Sequence, residues 1–372
     1  MTQRKNTALA ALLVLLPLVF ACTQDETDLP APFEPTAVLL ELTLEHEGVA
    51  YPTEINGNSL TLSDSLPFDA TEVVIKSLTL SPDASANRMA GDVLRVEDSP
   101  IAMMVTAANG QASQVYTLVL ETGEEPDYAR LLFEAHTATS CGPFATIDIG
   151  AVRVENNVWN AGALPAGSYT QCIYSYENED LELMGWQWEY PDNANGVNAY
   201  PQLIYGHKPW QPSSTTQELP RKIADINTLK VTYDAEVTRN DGDYNLAFDN
   251  WINSEASITP QNIVFEFMIW EDVHQLVPFG DFQEEVTTTN GTYRFYSGEP
   301  TWEPPGSNWT YLAFQRTSNR TAGTVDIDEL LAYLVNKGIV SPDSYLGSIE
   351  LGTEVGNSTG SAVIKQFEVD IE

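Results

Sequence analysis

Residues 262–270 read NIVFEFMIW, a run of large apolar residues broken by a single acid. Side chains alternate along a β-strand, so the odd-numbered positions of residues 263–269 form an unbroken apolar face that we expect to lie in a core. The opposite face sets Glu266 beside Met268 and Trp270. A carboxylate next to an aromatic ring and a thioether suits a sugar, whose apolar face can stack while the acid reaches the anomeric carbon. The alternative is an ordinary half-exposed strand with an outward-facing glutamate.

Two further stretches show the same kind of pattern. Residues 347–356 read GSIELGTEVG, which places Glu354 on a face with small residues and leaves room for a ligand. Residues 244–251 read YNLAFDNW, in which Asp249 shares a face with Trp251. Three predicted strands therefore bring carboxylates to polar faces that otherwise carry aromatic and small residues.

Residues 128–372 are rich in Trp, Tyr, Asn and Gly and show strand patterns almost throughout. The exception is the segment 326–338, DIDELLAYLVNKG, whose apolar residues recur at helical spacing. Asp326 and Glu329 match a capping box at its start, and Gly338 suits its C-terminal cap. The pattern predicts an all-β sandwich with one helix packed against it.

The preceding part of the chain divides into shorter segments. Residues 36–121 contain short strands separated by turn signals such as Asn109-Gly110, and predict a small separate β-sandwich. The pattern ending in AANGQASQVYTLVLE resembles the Ig-like modules of Bacteroidetes-type surface lipoproteins, which implies a spacer. Residues 122–127 (TGEEPD) form a polar linker to the larger domain.

The start of the chain predicts export. Residues 1–21 have a basic beginning and an apolar run that is too short to span a membrane, which is typical of a signal peptide. Val19-Phe20-Ala21-Cys22 resembles a lipobox, so cleavage would leave a lipidated Cys22 at the start of a linker, residues 22–35. We then expect an outer-membrane or cell-surface lipoprotein whose only membrane contact is the lipid. Ordinary cleavage and secretion is the alternative.

Composition excludes several classes of function. The 372 residues include 53 Asp or Glu and 17 Lys or Arg, and the formal net charge is -36. Nucleic acid is excluded as a partner because phosphate binding needs clustered basic residues. The four histidines and three cysteines are too scattered for a zinc site, and no cofactor is expected. Cys141 and Cys172 remain once Cys22 carries lipid, and we expect them to pair because disulfides persist in exported proteins.

Several motifs follow one another in an order that is typical of one family. Residues 266–270 match its ExMIW segment, and residues 352–354 match its GTE segment. The further matches, to NNxW, QC, YP and YNxAYD, are residues 156–159, 171–172, 200–201 and 244–249. Residues 136–372 thus resemble glycoside hydrolase family 12, the compact endoglucanases with a concanavalin-like β-jelly-roll sandwich.

This resemblance implies a role for each matched residue. Glu266 would be the nucleophile, Glu354 the general acid/base, and Asp249 the residue that hydrogen-bonds and orients the nucleophile. The substrate-binding residues implied in the same way are Asn157, Trp159, His207, Met268 and Trp270. Trp159 would be the stacking platform on the non-reducing side of the cleavage point. The family's N-terminal disulfide matches Cys141 and Cys172.

Two segments depart from the family pattern. The loop GHKPWQPSS, residues 206–214, lacks the further cysteines of many bacterial members, which leaves open whether Trp210 reaches the sugar. Glu271 and Asp272 follow the ExMIW segment, where an apolar residue is more usual.

The expected function is endo-acting, retaining hydrolysis of β-1,4-glucan, with cellulose, mixed-linkage β-glucan and xyloglucan all open as substrates. Retention requires the two carboxyl groups to lie ~5–5.5 Å apart. The alternative is a non-catalytic glycan-binding lipoprotein of a polysaccharide-uptake system, although a binder would have no need of both carboxylates. A purely structural surface protein conflicts with the tryptophans. We expect the protein to be a monomer.

Overall fold

The computed structural model describes residues 36–300 and 309–372, apart from Asp180, Asn193 and Asn195. The chain divides into two compact units, with the division between Glu125 and Pro126. The predicted signal peptide and lipidated Cys22 lie outside the described residues and stay predictions. Within the described ranges, every helix is too short or too polar to cross a bilayer.

The first unit is a curled β-sheet. Its strands are Leu39–His46 (β1), Val49–Asn56 (β2), Ser59–Leu62 (β3), Glu72–Leu80 (β4), Ser85–Ala86 (β5), Val93–Arg95 (β6), Ile101–Thr106 (β7) and Ser113–Val119 (β8). They pair in the order β5-β7-β8-β3-β2-β1-β4-β6. Leu42 of β1 and Ile75 of β4 share a buried cluster with Met103 of β7 and Leu118 of β8. The sheet therefore closes around a single hydrophobic core.

The second unit consists of two sheets with a shared core, as the predicted sandwich requires. Its strands are Ala138–Ser140 (β9), Thr146–Ile149 (β10), Val152–Glu155 (β11), Thr170–Glu177 (β12), Glu182–Glu189 (β13), Gln202–Gly206 (β14), Arg221–Lys222 (β15), Leu229–Arg239 (β16), Tyr244–Asn253 (β17), Ile263–His274 (β18), Asp281–Thr287 (β19), Thr292–Gly298 (β20), Thr310–Arg316 (β21), Ala322–Asp326 (β22), Tyr345–Leu346 (β23), Ser348–Gly352 (β24) and Thr359–Ile371 (β25). The large sheet runs β10-β11-β14-β24-β17-β18-β21-β20-β19, with β15 and β23 attached. The small sheet runs β22-β16-β25-β13-β12-β9.

The alternation predicted for residues 262–270 is confirmed in β18. Phe267 and Ile269 lie in the main core between the two sheets. Met268 and Trp270 belong to a separate cluster with Tyr311, on the opposite face. We call this opposite face of the large sheet the cleft face.

Glu271, the departure from the family pattern, is fully buried on the core side of β18. The hydroxyl of Tyr233, from β16 of the small sheet, donates to its Oε2 over 3.0 Å. The Tyr293 hydroxyl donates to its Oε1 over 2.8 Å, and the Arg320 guanidinium also donates to Oε2. A buried carboxylate with this many donors is compensated for its loss of water, and it ties the two sheets together.

The predicted helix is present as α2, Ile327–Asn336, which buries its apolar face. Gly338 follows it with a φ of 71°, and its N–H donates to Val335 O over 2.9 Å. This is the left-handed C-terminal cap that the sequence predicted. A shorter helix, α1 at Tyr128–Glu134, was not predicted; Asp127 caps it by accepting from the Arg130 N–H over 2.9 Å.

The predicted capping box of α2 is wrong. Asp326 stands at the N-cap position, but its side chain makes no capping hydrogen bond. It accepts instead from the backbone N–H and the side-chain amide of Asn290, each over 2.7 Å. Glu329 likewise accepts from the N–H and hydroxyl of Thr289. Both acids therefore fasten the turn between β19 and β20 to the helix.

The predicted disulfide between Cys141 and Cys172 is present. Cys172 lies on β12, and Cys141 directly follows β9, which pairs with β12 at the edge of the small sheet. The bond therefore fastens the beginning of the segment that leads into β10 and β11.

We predict that the Glu271 contact is a major source of stability for the second unit. Glu271→Ala leaves Arg320 and the two tyrosine hydroxyls without their buried acceptor, which should cost about 3–5 kcal/mol in the free energy of unfolding. Urea unfolding followed by tryptophan fluorescence measures this change. The matched control is Glu284→Ala, which removes an exposed pair with Lys337 and should cost far less, because solvent screens exposed ion pairs. Equal costs for the two variants would contradict the assignment.

Candidate active site

A cleft of about 380 Å³ opens on the cleft face of the large sheet. Glu266, Glu354 and Asp249, the three predicted catalytic residues, all line it. Its walls are largely aromatic, with Phe144, Trp159, Trp210, Trp251 and Trp309 among the lining residues. The cleft thus combines stacking surfaces with a group of acids, as glycan chemistry requires.

Glu266 is half-buried on β18. The indole N–H of Trp309 donates to its Oε2 over 3.0 Å. Trp309 is itself buried in a small cluster with Trp251 and Ile263, so the donor is held in place. A hydrogen bond to the charged form of an acid favours that form, and this contact therefore suits an ionised Glu266.

Glu354 follows the end of β24 and is held by Asn245 of β17. The Asn245 amide donates to Glu354 Oε2 over 2.5 Å, and the backbone N–H of Glu354 donates to Asn245 Oδ1 over 2.9 Å. Burial raises the pKa of Glu354 to about 7, although the hydrogen bond from Asn245 lowers it. Glu354 is therefore a carboxyl group that keeps its proton up to nearly neutral pH.

Asp249 lies one strand away from Glu266 on the same face. Trp251 is opposite Glu266 and Asp249 is opposite Met268, so Asp249 and Glu266 are diagonal neighbours. Burial and the nearby charge of Glu266 hold the pKa of Asp249 well above its ordinary value. Its Oδ1 is buried without a hydrogen-bond partner among the described residues. A protonated Asp249 is thus placed to donate to an ionised Glu266, as its predicted orienting role requires.

A second part of the cleft, of about 270 Å³, adjoins the first. The residues that line both parts are Trp159, Glu266 and Glu354. Leu276, Val277 and Phe279 add an apolar wall to the second part alone. The two carboxylates therefore lie at the junction of two binding regions, with space for a ligand on either side.

The predicted substrate-binding residues fall into three groups. Asn157, Trp159 and Met268 line the first part of the cleft, and Trp270 lines the second. Trp159 is 48% exposed, which leaves its ring available for stacking. His207 is not among the described residues that line either part, and its Nε2 lies 3.0 Å from Gln211 O. The contact of His207 with the glycan stays a prediction that the geometry does not support.

Met268 is fixed in the floor by two donors. Its thioether sulfur accepts from the Trp270 indole N–H over 3.4 Å and from the Tyr311 hydroxyl over 3.3 Å. These contacts fix the thioether in the floor of the cleft, on the same face as the predicted catalytic acids.

Sequence reasoning missed several residues of this site. Lys208, rather than the adjacent His207, lines the first part of the cleft together with Glu155. Trp210 also lines it and is 50% exposed, which answers the question that its loop left open. Phe144 lines it as well, with the left-handed φ of 56°. Of these residues, Trp210 alone was raised by the sequence, as an aromatic residue in the loop that departs from the family pattern.

The acids of this site do not form a metal centre. Among the described residues, no three His, Cys, Asp or Glu side chains are grouped in a way that could hold a metal ion.

Comparisons with known proteins agree with this geometry. Endoglucanase S of Pectobacterium parmentieri is 28% identical over 224 residues, covering 58% of this chain and 80% of that protein. Xyloglucan-specific endo-beta-1,4-glucanase A of Emericella nidulans is 23% identical over 241 residues, covering 63% and 91%. The solved structure of a family 12 xyloglucanase from Bacillus licheniformis has a TM-score of 0.58 at 26% identity, covering 63% of this chain and 100% of that one.

The family model of Glycosyl hydrolase family 12 matches residues 150–372, which contain β11 to β25 and all three predicted catalytic acids. The match spans well over half of the chain. With its two-sheet fold and its paired carboxylates in an aromatic cleft, this chain belongs to glycosyl hydrolase family 12.

Proposed function

We propose that this protein is an endo-acting glycoside hydrolase that cleaves β-1,4-glucan with retention of configuration. The observation that carries the proposal is the position of Glu266 and Glu354 at the junction of the two parts of the cleft. A glucan chain bound there extends from the cleavage point in both directions, which suits attack within a chain rather than at its end.

In the first chemical step, Glu266 attacks the anomeric carbon while Glu354 donates its proton to the departing glycosidic oxygen. The raised pKa of Glu354 supplies that proton at mildly acidic and neutral pH. The indole of Trp309 keeps Glu266 in its charged form. The glycosidic C–O bond breaks, an ester bond to Glu266 forms, and the shortened chain leaves with the proton.

In the second step, the roles of the acids change. Glu354, now ionised, takes a proton from a water molecule whose oxygen attacks the same carbon. The ester bond to Glu266 breaks, and its electron pair returns to the carboxylate. Two displacements restore the original configuration, and both acids end in their starting protonation states.

The glucan is held by stacking and by unsatisfied polar groups. Trp159 and Trp210 are each about half exposed in the first part of the cleft. Asn157 Oδ1 and Trp251 Nε1 also belong to residues that line it, and both atoms are buried without partners among the described residues. A sugar hydroxyl that satisfies each of them removes the cost of leaving a polar atom unpaired.

Cellulose, mixed-linkage β-glucan and xyloglucan are the candidate substrates within this proposal. Relatives named endoglucanase and xyloglucan-specific endo-beta-1,4-glucanase support a β-1,4-glucan backbone as the common feature. Reducing-end release from carboxymethyl-cellulose, barley β-glucan, xyloglucan and xylan distinguishes the three candidates, with xylan as the backbone that should not be cleaved.

We further propose that the enzyme works at the outer membrane or cell surface. The support is the lipobox-like sequence ending in Cys22, which would carry a lipid anchor after removal of residues 1–21. The first unit would then be an Ig-like spacer between anchor and catalytic unit, which its all-β architecture suits. Mass spectrometry of the mature N-terminus separates a lipidated Cys22 from a free secreted form.

We predict that both catalytic acids are essential. Glu266→Gln removes the nucleophile and should lower kcat on the best glucan by at least about 10³-fold. Glu354→Gln removes the proton donor and should lower it by ~10²–10⁴-fold. The matched control is Glu368→Gln, an exposed position on the small sheet, which should keep the wild-type rate.

Two outcomes would contradict the proposal. Glu266→Gln with a near wild-type rate would remove the assignment of the nucleophile. Wild-type protein that retains glucan in affinity electrophoresis but releases no reducing ends would instead favour the non-catalytic glycan-binding lipoprotein.

We also predict a pH dependence that Asn245 controls. As the pH rises, kcat/KM should fall near pH 7, where Glu354 loses its proton. This fall is the basic limb of the pH profile. Asn245→Ala removes a hydrogen bond that lowers the pKa of Glu354, so this basic limb should move to higher pH while kcat falls. Steady-state rates measured across the pH range test this shift, with Asn58→Ala in the first unit as control. A basic limb that moved to lower pH would refute the assignment.

A further inference from the structure

The cleft face holds a buried ion cluster that the two chemical steps do not use. Lys208 Nζ lies 2.6 Å from Glu155 Oε2 and 3.8 Å from Glu350 Oε2. The exposed fractions of the three side chains are 7%, 4% and 0%. Charges so far from water are costly unless they are paired, so each member of the cluster depends on the others.

The position of the ammonium group is fixed from several sides. Glu155 also accepts from Gln202 over 2.8 Å and from Gln211 over 2.7 Å, so its carboxylate cannot turn away from Lys208. On the other side, the Ser348 hydroxyl donates to Glu350 Oε1 over 2.5 Å. Glu155 and Glu350 come from β11 and β24, which both pair with β14. The cluster is thus built into the sheet rather than placed on its surface.

The strand register links this cluster to the catalytic acids. Phe248 of β17 is opposite Leu351 of β24, and the next antiparallel position sets Asp249 beside Glu350. Asp249 is in turn the diagonal neighbour of Glu266. Among the described residues that line the two parts of the cleft, Lys208 is the only lysine, arginine or histidine.

Asp249 is the group that links Lys208 to Glu266, because it interacts with the charges of both. The other described titratable groups that interact with Asp249 are Glu350, Glu354, Tyr200 and Tyr311, and Glu155 interacts with Lys208 and Glu350. Burial, Glu266 and Glu350 raise the pKa of Asp249, and Lys208 lowers it. Burial lowers the pKa of Lys208, but Glu155 and Glu350 outweigh that effect and raise it, so the lysine stays charged.

We propose that Lys208 is a positioning residue that keeps the nucleophile Glu266 ionised at acidic pH, and that Glu155 anchors its ammonium group for this purpose. The inference rests on the proposed function, because it concerns the protonation state in which Glu266 attacks. Loss of the cation would leave one more net negative charge beside Glu350 and Asp249, and this charge would raise the pH at which the nearby Glu266 takes a proton. The pair therefore sets the pH below which kcat/KM falls, which is the acid limb of its pH profile.

Charge-changing variants at the two positions test this role in opposite directions. Lys208→Met removes the cation and should move the acid limb of kcat/KM to higher pH by about one unit. Glu155→Gln keeps one acceptor oxygen for Lys208, replaces the other with an amide group, and removes a negative charge, so it should move the same limb to lower pH. The double variant should lie closer to the wild type than Lys208→Met does, and Lys208→Arg should keep the limb in place.

Lys230→Met is the matched control, since Lys230 pairs with buried Asp326 on the small sheet and lines neither part of the cleft. It should leave the acid limb unchanged. If Lys208→Met lowers kcat/KM by the same factor at every pH with both limbs fixed, Lys208 is merely structural and the inference is overturned. If Lys208→Met fails to fold, as circular dichroism would show, the direction of the Glu155→Gln shift decides. A wild-type protein that hydrolyses no glucan would instead refute the proposed function.

Discussion

One face of the large sheet must hold five carboxyl groups with little or limited access to water, and this constraint shapes the whole cleft. Glu155 and Glu350 are buried, and Asp249, Glu266 and Glu354 are half-buried. Buried charges of one sign cannot remain unpaired, so each acid needs a partner or a proton. Glu155 is paired with Lys208, Glu266 accepts from Trp309, and burial raises the pKa of Glu354 to about 7. Burial of Glu354 and the hydrogen bond from Trp309 to Glu266 thereby distinguish a proposed proton donor from a proposed nucleophile on one surface.

The rest of the fold holds that surface in register. The proposed catalytic acids come from β17, β18 and the end of β24, and a slip of one residue in any of these strands would turn its acid into the core. Behind the cleft, Glu271 binds hydroxyls from both sheets, and large aromatic side chains fill the space between them. The unusual acid after the ExMIW segment therefore supports the strand that carries the nucleophile.

Much of this architecture could be predicted from sequence, because strand alternation and helical spacing are local patterns. Residues 262–270 showed both the core face and the acid-bearing face, and family motifs indicated the catalytic pair. The remaining contacts are long-range and aperiodic: Lys208 meets Glu155 across 53 residues, and Trp309 meets Glu266 across 43. The local pattern also predicted a capping box at the start of α2 that is absent. There a tertiary contact competes, because Asp326 accepts hydrogen bonds from Asn290 instead of capping its helix.

The claim that Glu266 attacks the anomeric carbon is tested most directly by trapping the covalent intermediate. A 2-deoxy-2-fluoro-β-cellobiosyl fluoride slows both displacements through its ring fluorine, while its fluoride leaving group still allows the first one to occur. Intact-protein mass spectrometry should then show one fluorinated disaccharide per chain, and peptide mapping should place it on Glu266. Time-dependent inactivation with the label on another carboxylate, or hydrolysis of this substrate without any accumulated adduct, would contradict the mechanism.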